Sequence, residues 1–194
     1  MRVDSKIKNV NTIAIVGGGD LADEIKRVAA IEFQVDIFNH SNFDIGDQQQ
    51  CNQMIPRLSQ YDAVIITAGV YSDDIWTMWL TNTVGPCYLV SKLNETSVDQ
   101  RIIAITSHGA SWTSWPEIPT SRLVYNANKL SLGEFCKGLV QQGQSTNKIT
   151  VFEPSKFKSK MSNNTGVNIT DIAKSLLDLM NNSVHVVHVI VKNL

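Results

Sequence analysis

The sequence predicts a doubly wound α/β domain, with a parallel sheet as the middle of three α/β/α layers. Three observations predict it. Short apolar runs alternate with longer segments whose apolar residues recur at helical spacing. Those runs are almost continuously apolar instead of alternating with polar residues, as strands buried on both faces must be. No internal repeat and no low-complexity linker divides the 194 residues, a length that suits one core, so the chain 1–194 is read as one domain.

The elements follow in order. Residues 11–16 make a short β-rich run that ends in Gly17-Gly18-Gly19. Residues 20–31 carry Leu21, Ile25, Val28 and Ala29 on one helical face, with Asp20 as the expected N-cap. Residues 35–39 read as a second strand. Residues 47–58 read as a polar helix that Pro56, having no N–H, is expected to kink or end early. Asp-Ala-Val-Ile-Ile-Thr at 62–67 is a buried strand that stops at Ala68-Gly69. Residues 75–93 look helical, with a kink expected at Gly85-Pro86, Asp73 and Asp74 as capping residues, and Trp76 in the helix core. A strand at 101–106 leads into a loop rich in Ser, Trp and Pro at 107–120. A long helix (123–142), a strand (148–152), a helix (170–180) and a last strand (184–191) complete the pattern.

Composition narrows the function classes. Seventeen Lys and Arg against eighteen Asp and Glu leave a net charge of −1, which argues against nucleic acid or an anionic membrane as the main partner. No apolar run is long enough to span a bilayer, and the first residues lack a signal-peptide core. Cys51, Cys87 and Cys136 are odd in number and widely spaced, so they read as buried reduced thiols and point to the cytoplasm. Asp73 and Asp74 form no metal constellation, and no metal site is expected.

Gly17, Gly19 and Ala22 fit G-x-G-x-x-G/A after a strand and at the opening of a helix. Gly17 permits a tight turn, Gly19 lets backbone approach a pyrophosphate, and Ala22 allows close packing of helix on sheet. Unpaired N–H groups at the start of the helix, around Asp20 and Leu21, would face the phosphates. This is the dinucleotide turn of a Rossmann fold; a bare strand-to-helix turn is the other reading. In such a fold the end of the second strand meets the adenosine ribose, and here it carries Asn39, His40 and Ser41. The absence of a carboxylate leans toward NADP, and because His40 is only a part-time cation NAD stays open.

Tyr125-Asn126-Ala127-Asn128-Lys129 places a phenol and an amine four residues apart on one helical face. An ammonium close to the phenol would favour phenolate and make Tyr125 a usable acid/base toward a carbonyl or alcohol oxygen. Other segments appear in order around this pair. Ala68-Gly69-Val70 follows a buried strand, Asn82 lies in Thr-Asn-Thr-Val-Gly-Pro, Ser107 ends Arg-Ile-Ile-Ala-Ile-Thr-Ser, Pro154-Ser155 follows a late strand, and Asp44-Ile45 precedes the second helix. With these segments the chain, from about residue 11 to 161, resembles the short-chain dehydrogenase/reductase family.

The resemblance implies a hydride transfer between a nicotinamide and a small carbonyl or alcohol. Tyr125 would exchange a proton with the substrate oxygen, and Ser107 would hydrogen-bond that oxygen. Lys129 would hold the nicotinamide ribose and depress the tyrosine pKa, while Asn82 would position a water. Gly17, Gly19, Asp20, Leu21, Asn39, His40, Asp44, Ile45, Ala68, Gly69, Val70, Pro154 and Ser155, with Tyr125 and Lys129, would surround the cofactor. It also implies a homo-oligomer, dimer or tetramer, joined through the helices of Asn82 and Tyr125.

Four features depart from the family pattern. The glycine spacing is one residue shorter, Thr67 replaces an asparagine, residues 107–125 are long and carry Trp112 and Trp115, and residues 156–168 are too few for the usual helical substrate lid. The two tryptophans either line an apolar pocket or pack the loop, and His108 either touches substrate or faces solvent. A catalytically idle NAD(P)-binding sensor or scaffold is the alternative function, and an epimerase or dehydratase using the same Tyr–Lys pair is a third.

Overall fold

A computed structural model describes residues 10–97, 99–108, 119–181 and 187–191. Strands β1 (Thr12–Val16), β2 (Gln34–Phe38), β3 (Ala63–Ile66), β4 (Arg101–Ile105), β5 (Lys148–Pro154) and β6 (His188–Val191) form one sheet in the order β2-β1-β3-β4-β5-β6. Every pairing is parallel; Ile13 stands opposite Val35 on one side and Ala63 on the other. The four inner strands are almost wholly buried, which is why their sequences are apolar throughout instead of alternating.

Successive strand residues point to opposite faces and feed two cores. Ala14 and Val16 join Leu58 of α2 (Gln48–Leu58), Leu89 and Leu93 of α4 (Gly85–Thr96), and Leu132 and Cys136 of α5 (Thr120–Gln141). Ile13 and Ile15 join Leu21 and Ile25 of α1 (Asp20–Ala29) and Ile172 and Leu176 of α6 (Ile169–Asn181). The result is the doubly wound three-layer α/β/α fold that the pattern predicts. Because β1 continues through α1 to β2 on one side, and β3 then pairs on the other, the chain reverses direction across the sheet at β1 and β3. Ligands of open α/β sheets bind in the crevice beyond the carboxyl ends of such strands.

Several elements differ from expectation. Pro56 lies inside α2, which continues to Leu58 instead of stopping early: the proline falls in the last turn, so it forfeits only its own bond to Asn52 O, and two residues complete the helix. Gly19, not Asp20, is the N-cap of α1: Gly19 holds φ +86°, and Asp20 is already helical. The expected kink near Gly85-Pro86 is a π-helical turn, Leu80–Val84, between α3 (Ile75–Trp79) and α4. Asp74 caps α3 as expected, accepting from Trp76 N. Trp76 is 77% exposed instead of forming helix core, because Met78, two residues on and across the five-residue helix, takes the buried position. Trp112 and Trp115 lie outside the described residues, as does the start of the predicted last strand. Among the described residues no helix is long and apolar enough to cross a membrane.

Candidate active site

The crevice begins at the glycine turn. Gly17 holds φ +124°, and a Cβ there would sit 2.5 Å from Ala68 N and 2.6 Å from Thr67 Oγ1, so only glycine fits beside β3. Its N–H donates to Phe38 O at 2.8 Å, which ties the turn to β2. Thr67, where the family pattern has asparagine, donates its N–H and its hydroxyl to Val16 O, at 2.8 and 3.3 Å. Thus β1 and β3 are joined just where they open. At Gly19 nothing lies within 4 Å of the position a Cβ would occupy, and α1 starts there with no side chain capping its N–H groups.

That open glycine above unsatisfied amides is the cradle a pyrophosphate needs, so the residues present fit a dinucleotide. Asp20 does not spoil it. Its carboxylate turns to the last third of the chain, accepting from Lys160 N at 2.6 Å, with Lys160 Nζ 4.0 Å away. Residues 156–168 are held down as a short strap by this contact, by a bridge between Phe157 and Val167, and by Thr170 bonding Glu24. The strap contains only a single 3₁₀ turn, Lys160–Ser162, and no helical lid.

At the ribose end, Asn39 Oδ1 accepts from Ser41 N and Oγ and so serves its own turn. His40 is exposed and stands 3.7 Å from Asp44 Oδ1. A carboxylate therefore does stand at this edge, delivered by the turn in which Asp44 accepts from Gly46 N. Ile45 is buried in the core. At the far side Pro154 ends β5 instead of turning away, and buried Ser155 extends the ladder by donating to Val191 O at 2.7 Å.

The candidate reacting groups meet beyond β3 and β4. Tyr125 and Lys129 share a face of α5 and are both buried, as their spacing predicts. Lys129 Nζ donates to Ala68 O at 2.9 Å and Ile105 O at 3.2 Å, bridging the ends of the two strands. It lies close under Gly69, whose Cβ would come within 3.0 Å of the amine. Burial pushes the Lys129 amine down to about 8. Burial also raises the Tyr125 phenol above its usual value; the cation that opposes this is Arg122, not Lys129. The expected lowering of the tyrosine pKa by Lys129 is thus not what the geometry gives, since the ammonium is directed at main-chain carbonyls.

Asn82, fully buried, accepts from Val70 N at 2.7 Å and donates to Val70 O at 2.8 Å. Both ends of its amide are used as a strand neighbour would use them, so it fixes Val70. Thr83 Oγ1 donates to Asn128 Oδ1 at 2.9 Å and ties the π-helical turn to α5. Ser107 lies half-buried two residues beyond β4, with half-buried His108 next to it.

Arg122 is the residue that sequence reasoning missed. Its guanidinium carbon lies 5.4 Å from the centre of the Tyr125 ring and 5.9 Å from that of Tyr71. The two rings meet edge to face, 5.9 Å apart. The available signal was position: Arg122 is three residues before Tyr125, on the same helical face.

No protein-family model matches the sequence, and no curated protein matches it either. Solved structures do. A short-chain dehydrogenase/reductase from Serratia marcescens superposes with a TM-score of 0.76 at 16% identity, covering 95% of this chain and 98% of that one. A 3-alpha-hydroxysteroid dehydrogenase from a Pseudomonas species, complexed with NADH, gives 0.73 at 15% identity, covering 93% and 94%. BdcA in complex with NADPH gives 0.69 at 16% identity, covering 90% and 88%. The fold is that of the short-chain dehydrogenases/reductases.

Proposed function

We propose that this chain is an NAD(P)-dependent oxidoreductase acting on a small carbonyl or alcohol, with Tyr125 as its acid/base. One observation carries the reading. The glycine turn and the buried Lys129 amine converge on Thr67–Gly69, where β1, β3 and β4 end: Gly17 packs against Ala68 N, and Lys129 Nζ donates to Ala68 O and Ile105 O. Gly17, Gly19, Asp20 and Leu21 would hold the diphosphate, and Ala68, Gly69, Val70, Pro154 and Ser155 would border the nicotinamide. When bound, the cofactor supplies or accepts the hydride.

The chain's own residues handle the proton and the geometry. Tyr125 passes its phenolic proton to the substrate oxygen or takes one from it, and Ser107 donates a hydrogen bond to that oxygen. Lys129 and Asn82 are positioning residues here: one pins Ala68 O and Ile105 O, the other pins Val70. We read NADP as the preferred form, since His40 is exposed at the ribose edge while Asp44 is engaged by Gly46. The free cysteines fit a reducing cytoplasm.

One observation favours the alternative of a catalytically idle NAD(P)-binding sensor. The Lys129 amine is spent on two carbonyls, and the Tyr125 phenol is raised. Two measurements decide. Titration with NADPH and NADH, followed by fluorescence, is expected to give saturable binding, tighter for NADPH; no binding of either would sink both readings. Tyr125→Phe is expected to cut carbonyl reduction by ~10²-fold or more while leaving the cofactor dissociation constant within about threefold. Binding without turnover in the wild type would make the chain a sensor.

A further inference from the structure

We propose that Arg122 is the substrate-recognition residue of this site and that the substrate is an oxo acid, a carbonyl compound whose carboxylate docks on the guanidinium. The proposal rests on the oxidoreductase reading and adds the substrate class. Four observations carry it.

First, Arg122 stands one helical turn before Tyr125 and against its ring, 5.4 Å from guanidinium carbon to ring centre. A group that meets it is within reach of a compound whose oxygen meets the phenol. Second, its donors are unspent. Among the described residues no carboxylate or carbonyl takes the guanidinium N–H groups of Arg122. Arg27, by contrast, is paired with Glu24 through two bonds of 2.7 and 2.8 Å, and Arg101 donates to Leu179 O.

Third, the residue is placed and not merely present. The Tyr71 ring, 5.9 Å away, holds it from a second side, and the Tyr71 hydroxyl is itself anchored to Ser121 Oγ at 3.1 Å. A guanidinium held by aromatic faces keeps its in-plane N–H fork available, the shape that matches a carboxylate bidentately. Fourth, helix stability does not explain it. Arg122 lies in the first turn of the 22-residue α5, where a cation opposes the macrodipole, and no acidic residue in that turn compensates. Lys129, the other cation of the site, is occupied by Ala68 O and Ile105 O and cannot serve.

The test compares an oxo acid with its neutral twin. kcat/KM is measured for pyruvate and for methyl pyruvate, with NADPH, in the wild type, Arg122→Gln and Arg122→Lys. The Gln variant is expected to lose at least tenfold more on the acid than on the ester, with Lys between. Equal losses on both compounds, or turnover of the ester alone in the wild type, would overturn the proposal. A second readout needs no turnover: the dissociation constant of pyruvate alone, by saturation-transfer NMR. A constant at least tenfold weaker in Arg122→Gln supports the anion site even where neither compound is reduced, a result that would sink the oxidoreductase reading by itself. An unchanged constant, or no binding to the wild type, overturns the anion site.

Discussion

Lys129 shows most clearly what single residues do here. Burial disfavours the Lys129 cation even though two carbonyls accept from it, and its pKa falls from 10.5 to about 8. The linkage has a definite sign. Between pH 8 and 10.5 the unfolded chain binds this proton and the folded chain does not, so this residue's contribution to stability grows as pH rises and is lost as pH falls through 8. The thiols act oppositely: burial pushes Cys51 up to about 11 and half-buried Cys87 to about 12, so the total curve mixes both. The difference between wild type and Lys129→Met isolates the amine. We expect that difference in unfolding free energy, from urea titrations, to shift by about 3 kcal/mol in favour of the wild type across the window. A flat difference would mean that the amine is solvated. Residue placement was legible where backbone or spacing dictates it, as at Gly17, Gly19 and the shared buried face of Tyr125 and Lys129. It was not legible where a long side chain chooses among distant partners. Nothing local to Lys129 names Ala68 O or Ile105 O, and nothing local to Asp20 names Lys160.

At the scale of elements, the helical run from α3 to α4 explains the most. Its π-helical turn carries Asn82 and Thr83, so the extra residue aims one side chain at Val70 and the next at Asn128. Pro86 is part of the cause, since it offers no N–H to Asn82 O, and the Gly85 N–H bonds Leu80 O instead. Gly85 is fixed by packing: a Cβ there would lie 2.0 Å from Ile45 O. Gly85→Ala must move the backbone of one partner and is expected to cost about 3 kcal/mol, read from the urea midpoint. A change under about 0.5 kcal/mol would mean that the two segments are not in contact. The sequence pattern placed this run and its irregularity correctly, because a proline well inside a helical run removes one N–H from its hydrogen-bond ladder. Its exposed side was misjudged at Trp76, since five residues of helix are too few for periodicity to say which face is inward.

The whole molecule presents one side that water covers poorly. Ile75, Trp76, Trp79 and Val84 line an open apolar hollow on the outer side of the site helices, and Val84 is 52% exposed. Apolar surface of this kind is characteristic of interfaces. We expect a homodimer through these helices, as the family resemblance implies, with a mass by light scattering twice the 21.5 kDa of one chain. Val84→Glu is expected to halve that mass, and a monomeric wild type would remove the expectation.

The strap has a consequence of a different kind. Asp20 meets Lys160 across 140 residues, and Glu24 meets Thr170 across 146. A ribosome delivers the amino-terminal strand and helix long before it delivers these partners. The two carboxylates at the start of α1 therefore stay unmatched until the carboxyl-terminal third has emerged, and the strap closes on them among the last contacts made in the birth of the protein.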